Sequence, residues 1–235
     1  MIQLPIAGTG KTMAISPSKI IAVGLNYKDH VKESAAMGNN PADLPQEPVL
    51  FNKTLNVLVG PGEPIVIPAH VAQYKFPQPR VDHECELAII IGKRGRHIRE
   101  EDAYDHVLGY TCFNDVSQRN IQKADPSGWF RGKSFDTFGP IGPAVVLHGD
   151  IGDPQSLDIC CRVNGEVKQS ANTRDMIFTL PVLIAYISRQ FTLEEGDVIV
   201  TGTPSGVSPI APGDTVEVEI ERIGVLKNPV AAEGA

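Results

Sequence analysis

Residues 82–92 read DHECELAIIIG, and the last seven of them, ELAIIIG, run apolar on both faces up to Gly92. A short, β-branched apolar run closed by glycine reads as a strand covered on two sides, not one with a wet face. Glu84 and Glu86 stand two apart at its mouth, and on a strand that spacing puts both on the same face. Two carboxylates side by side repel unless a cation or a shared proton offsets their charge. A third acid, Asp115, ends the next apolar run, YTCFND (110–115). Three oxygen donors without a matching His/Cys cluster suit a hard divalent ion, Mg²⁺ or Mn²⁺. The same spacing also fits an exposed strand end whose acids are simply solvated.

Working outward, KIIAVGLNY (19–27) reads as a strand, followed by a short helix to about Ala36 with Asn26 as N-cap and Gly38 as its end. Residues 38–48 are too polar and Pro-rich to be regular, VLFNK (49–53) is a strand, and 54–82 are extended. EEDAYDHVLG (100–109) reads as a short helix with acids in its first turn, and 127–143 as a glycine-rich loop. AVVLH (144–148) and LDICCRVNGEVKQ (157–169) are strands, the second broken by the hairpin signal Asn164–Gly165. The longest helix covers about 180–190, with Pro181 in its first turn and Thr179 near the cap. DVIVTGTP (197–204) and DTVEVEIERIG (214–224) complete the strands. Strands dominate and helices are short. The expected fold class is mixed and β-dominated (α+β): a β-sandwich or roll with peripheral helices, residues 1–62 forming a small cap or lid region and 63–235 the main domain.

A chain of 235 residues can bury one large core. A net charge of −7 without a basic block argues against nucleic acid or an anionic membrane as partner. No apolar run approaches the roughly 20 residues that span a bilayer, and the N-terminus lacks a signal-peptide layout. Cys85, Cys112, Cys160 and Cys161 form no CxxC pair, as expected of a reducing, cytoplasmic setting. GTGKT (8–12) echoes a phosphate loop but lacks its spacing and a following helix.

His30 and Glu33, three apart on the first helix, share a face. A carboxylate beside imidazole fixes its tautomer and raises its basicity, which suits a general base acting on water; the alternative is an ordinary surface pair. Lys133, in RGKSFD, would stabilise an enolate or bind a carboxylate, or lie solvated on its loop. TGTP (201–204) could hold an anion or merely close a turn, and Arg119 and Gln122 read as site groups or helix-surface groups. Trp129 and Phe130 would line a pocket or anchor their loop.

Taken in order, VDHECELAIIIGK, GYTCFNDVSQRNIQ, RGKSFDTFGPIGP, MIFTLPVLIAYIS and LEEGDVIVTGTPSGV resemble the fumarylacetoacetate hydrolase superfamily, over roughly residues 19–220. GLNYKDHVKE and EPVLFNK extend the resemblance toward the N-terminus. The resemblance implies a mixed β-sandwich roll, usually dimeric, so a homodimer is expected. It implies that Glu84, Glu86 and Asp115 bind Mg²⁺ or Mn²⁺, that Lys133 is the loop lysine, and that Thr203 binds substrate carboxylate. Arg119 and Gln122 join it as substrate contacts. His30 and Glu33 match the pair that activates water on a mobile lid helix in acylpyruvase-like members. Without the long SH3-like domain of true fumarylacetoacetases, the chain resembles the short members more closely.

The activity so implied is Mg²⁺-dependent hydrolysis of the C–C bond of acylpyruvate-type 2,4-dioxo acids through a pyruvate enolate held on the metal. Oxaloacetate decarboxylation and 2-hydroxyhepta-2,4-diene-1,7-dioate isomerisation use the same enolate and remain alternatives. A metal-dependent dicarboxylate-binding protein is the non-enzymatic one.

Overall fold

The computed structural model describes residues 2–36, 43–126 and 128–234. Its strands, in chain order, are β1 (Ile2–Ile6), β2 (Lys11–Ile15), β3 (Ile20–Gly24), β4 (Val49–Lys53), β5 (Leu58–Val59), β6 (Ile65–Ile67), β7 (Val81–Asp82) and β8 (Cys85–Ile91). They continue with β9 (Val107–Asn114), β10 (Ser117–Gln118), β11 (Gly139–Leu147), β12 (Asp158–Val163), β13 (Glu166–Asn172), β14 (Val198–Val200), β15 (Thr215–Ile220) and β16 (Gly224–Ala232). The helices are α1 (Lys28–Ala36), α2 (Arg119–Ala124), α3 (Phe130–Lys133), α4 (His148–Ile151) and α5 (Leu180–Gln190). A nine-stranded mixed sheet runs β2-β1-β11-β9-β8-β14-β3-β4, with β5 paired to β11. A five-stranded sheet, β13-β12-β15-β16-β6, packs across it. This is the β-dominated mixed fold expected from the sequence.

Strand β8 shows why. Every one of its residues is buried, and its side chains alternate between two cores. Cys85, Leu87, Ile89 and Ile91 join the larger core, with α5 and the five-stranded sheet. Ala88 and Ile90 face the smaller one, with Ile20, Val198, Val200 and Phe113. Each large aliphatic side chain so buried contributes about 1.5–3 kcal/mol. Glu84 and Glu86 carry the parity of Ala88 and Ile90, so the period of 2 brings both acids to one face at the strand's start. β9 runs antiparallel, with Cys85 opposite Asn114. That register places Asp115, one residue past the end of β9, against Glu84, and the Asp115 N–H donates to the Glu84 carbonyl at 2.8 Å.

Several local expectations need correction. The short helix expected over 100–109 is a 3-10 helix that ends at His106, and β9 already starts at Val107. The stretch read as a loop over 127–143 contains the helical turn α3 and the start of β11. Residues 2–15, read without structure, are the hairpin β1–β2, and GTGKT begins in its turn. β16 was not expected either. Residues 1–62 contribute β1–β5 to the nine-stranded sheet, with β3 beside β14. The hairpin at Asn164–Gly165 forms, both residues having positive φ. Helix α5 has Pro181 in its first turn. Gly38 and residues 38–42 of the expected loop lie outside the described residues. No helix among the described residues is long and apolar enough to cross a membrane.

Candidate metal centre and catalytic pocket

A cavity of about 160 Å³ opens where β8 begins, lined among others by Glu84, Glu86, Arg119, Gln122, Lys133, Thr203 and His30. Carboxylate oxygens of Glu84, Glu86 and Asp115 lie within 4.8 Å of one another, and all three residues are buried. Lys133 Nζ donates to Glu84 Oε2 at 2.7 Å and to Asp115 Oδ2 at 2.6 Å. Lys53 Nζ donates to Asp115 Oδ1 at 2.5 Å. Arg119 Nη2 pairs with Glu84 Oε1 at 2.5 Å, while its Nε donates to Asp82 at 2.8 Å.

These partners set the charge states. Burial alone would raise the Glu84 carboxyl, but Arg119 and then Lys133 outweigh it and hold the group well below the usual range. Glu86 goes the other way: burial raises it most, and the negative Asp115 and Glu84 raise it further. Burial lowers Lys133, yet the charges of Asp115 and Glu84 prevail and leave it above its usual value. Burial lowers Lys53, and Asp115 only partly opposes this.

Glu86 is therefore the uncompensated member of the cluster. Among the described residues it has no salt bridge; its one hydrogen bond comes from the Gly202 N–H. Three clustered carboxylates, one of them lacking a cation of its own, fit a hard divalent ion. Glu84, Glu86 and Asp115 are the residues that would hold it.

The expected dyad is assembled. His30 Nδ1 lies 3.0 Å from Glu33 Oε2, and Glu33 Oε1 accepts the Gly206 N–H at 3.0 Å. Glu33 thus orients the ring from α1 while the 201–206 loop holds Glu33. Asn26 does not cap α1. It is buried between segments, donating to the Thr201 and Phe178 carbonyls at 2.8 and 3.2 Å and accepting the Phe178 N–H.

Arg119 and Gln122 lie one turn apart on α2, with Arg119 Nη1 donating to Gln122 Oε1 at 3.0 Å. Both line the cavity, but Arg119 is mainly engaged with Asp82 and Glu84. The Thr203 hydroxyl donates its proton to the Cys85 carbonyl at 2.9 Å and accepts from Gln169 at 2.7 Å. That leaves the hydroxyl a lone pair but no proton for an anion. Gly132 lets the backbone of α3 approach α2 closely: a Cβ there would stand 2.5 Å from the Gln122 nitrogen. Trp129 lines the cavity and packs edge-on against Phe51 at 5.2 Å, and Lys133 Nζ lies 5.0 Å from the Phe51 ring centre. Phe130 is exposed.

Sequence reasoning missed Lys53, Asp82 and Gln169. A lysine ending an apolar strand ordinarily reads as one that snorkels to water. Lys53 is instead among the largest fully buried side chains.

Residues 19–231 match the fumarylacetoacetate (FAA) hydrolase C-terminal family. The mitochondrial oxaloacetate tautomerase fahd2 of Xenopus laevis is 46% identical over 223 residues, which cover 92% of this chain and 66% of that protein. The 2-hydroxyhepta-2,4-diene-1,7-dioate isomerase structure from Mycobacterium marinum is 41% identical, with a TM-score of 0.80 over 97% of this chain and 83% of its own. Fumarylpyruvate hydrolase from Pseudomonas aeruginosa, solved with Mn²⁺ and pyruvate, is 29% identical, with a TM-score of 0.85 over 99% of this chain and 96% of its own. With the family match spanning nearly the whole sheet framework and the acid cluster at its centre, the chain belongs to the fumarylacetoacetate hydrolase family.

Proposed function

We propose that this enzyme transfers a proton at C3 of a small 2-oxo dicarboxylic acid, the keto–enol tautomerisation of oxaloacetate being the simplest instance. The observation that carries the reading is the His30–Glu33 pair lining the same cavity as the acid cluster and Lys133. The 46% identity to an oxaloacetate tautomerase supports it. With Nδ1–H donated to Glu33, the imidazole keeps a lone pair on Nε2 for a substrate proton. Removing a C3 proton pushes electron density onto the 2-oxo oxygen. The Lys133 ammonium is held in place by Glu84 and Asp115 to meet that charge, which favours the transition state over the ground state. A divalent cation bound by Glu84, Glu86 and Asp115 would supply Lewis-acid withdrawal from the same oxygen. His30 then delivers the proton to the 2-oxo oxygen, giving the neutral enol, and the reverse sequence restores the keto acid. Lys123, exposed on α2 and lining the cavity beside Gln122, supplies charge for the second carboxylate.

Hydrolysis of acylpyruvates is the second reading, with His30 taking its proton from water; the similarity to a fumarylpyruvate hydrolase favours it. One experiment separates the two. Oxaloacetate and a set of acylpyruvates are supplied with Mg²⁺ or Mn²⁺, and enol absorbance, pyruvate and CO₂ are followed separately. Tautomerisation changes the enol signal without releasing pyruvate. Pyruvate with a second acid means hydrolysis, and pyruvate with CO₂ means decarboxylation. His30→Ala is expected to slow the tautomerisation by about 10²–10⁴-fold while Mn²⁺ affinity stays within twofold. A variant that tautomerises at the parent rate would remove His30 from the role of base.

A further inference from the structure

We infer that Gln169 is a positioning residue that sets the acid cluster and the base together from a different sheet. It lies on β13, at the edge of the five-stranded sheet, with its side chain buried. A glutamine amide offers two donor hydrogens and two acceptor lone pairs, and here both hydrogens and one lone pair meet partners of fixed direction, while the other lone pair faces an imidazole nitrogen. Nε2 donates to the Pro204 carbonyl and to Thr203 Oγ1, each at 2.7 Å. Oε1 accepts the Cys85 N–H at 3.0 Å and faces His83 Nδ1 at 3.0 Å. The amide cannot be turned over, because the Cys85 N–H can only donate and the Pro204 carbonyl can only accept.

Cys85 separates Glu84 from Glu86. Gln169 grips the Cys85 N–H, and Thr203 Oγ1, itself held by Gln169, grips the Cys85 carbonyl at 2.9 Å. This closed ring of bonds fixes the backbone from which both acids project. The Thr203–Pro204 loop it anchors also holds the ends of the site. Gly202 N–H donates to Glu86, and Gly206 N–H donates to Glu33. β13 presses on the loop's far end as well: the Lys168 carbonyl lies 2.0 Å from where a Cβ on Gly206 would stand. One buried amide thus bears on the spacing of Glu84 and Glu86, and on the N–H that orients the base, without lining the cavity. It is the neighbour shell of a metal site reaching across two sheets.

This inference rests on reading Glu84, Glu86 and Asp115 as cation ligands, not on the identity of the substrate. Its test is a substrate-free Mn²⁺ titration of the full chain, with free Mn²⁺ read by electron paramagnetic resonance. Gln169→Leu, close in size but without polar atoms, is expected to weaken Mn²⁺ binding by about 10–100-fold. Gln169→Met serves the same purpose should the leucine variant fail to fold. Val167→Ala, exposed on the same strand, controls for β13 itself and should leave the dissociation constant unchanged. At saturating Mn²⁺, kcat should still fall in the Gln169 variant, because the loop that carries the Gly206 N–H donor of Glu33 loses its anchor at Thr203 and Pro204. A lowered thermal midpoint with Mn²⁺ affinity within twofold of the parent would make Gln169 merely structural and overturn the inference. If the parent itself binds no Mn²⁺, it is the metal reading that fails.

Discussion

Glu86→Gln should abolish divalent-cation binding and turnover, yet raise the thermal midpoint of the metal-free protein at neutral pH. The carboxyl of Glu86 is buried, and burial, Asp115 and Glu84 all push its pKa up. An acid raised in the folded state binds more protons folded than unfolded. Its stability contribution therefore declines as pH rises above the unfolded glutamate value of about 4.3 and through the folded pKa. Glutamine keeps a carbonyl oxygen for the Gly202 N–H and offers its amide hydrogens to the neighbouring carboxylates. The repulsion disappears with the charge. Thermal unfolding in EDTA across a pH series should show a declining midpoint for the parent and a flatter one for the variant. With Mn²⁺ the order reverses. The parent gains about 2.7 kcal/mol at a hundred times the dissociation constant, and the variant gains nothing. The affinity lost should exceed the roughly 10–100-fold that removing a hydrogen-bonding neighbour costs a metal site. Retained Mn²⁺ binding by the variant would exclude Glu86 as a ligand. A metal-free midpoint below the parent's would mean the acid is not repelled as its surroundings indicate.

How much of this was legible beforehand depends on the range of the interaction. The two faces of ELAIIIG and the shared face of Glu84 and Glu86 follow from a period of 2, which any strand imposes. His30 and Glu33 follow from helix spacing in the same way. Asp115 could be seen to close a run, but its place beside Glu84 needs the β8–β9 register. The resemblance supplied that adjacency; spacing did not. Lys53 and Gln169 carry no local signal, because their partners lie 62 and 84 residues away along the chain, at Asp115 and Cys85. Thr203 was legible as a loop residue at the site, but the partners that occupy its hydroxyl belong to β8 and β13. β1 and β16 went unread because each contains a proline, Pro5 and Pro229, which argues locally against a strand. Such pairings become visible only when the sheet is assembled.

Lys53→Met is expected to destabilise the metal-free protein by about 3–5 kcal/mol, the usual cost of removing one partner from a buried ion pair. For a chain of this size that lowers the thermal midpoint by roughly 6–20 °C. The Lys53 and Asp115 side chains are both 0% exposed, so water cannot replace the lost ammonium. Methionine fills similar volume, which keeps cavity formation a minor part of the loss. Lys133 still pairs with Asp115 Oδ2, but it also serves Glu84 and cannot neutralise both. Asp82 is paired with Arg80 as well as Arg119, and Arg119 also serves Glu84, so what the Lys53 variant loses is the cation on Asp115 Oδ1, whose negative charge is left buried on that side. A divalent ion would answer that charge. Adding Mn²⁺ should therefore raise the midpoint by more in the variant than in the parent. Neutralising the partner should do the same without metal. Lys53→Met combined with Asp115→Asn is expected to recover much of the lost stability in EDTA, since no unpaired charge remains. Calorimetric midpoints of the parent, the single variant and the double variant decide the matter. A single variant within about 2 °C of the parent would mean that Lys53 fills space and does not balance charge. A double variant no better than the single would place the cost in packing, not in the orphaned carboxylate.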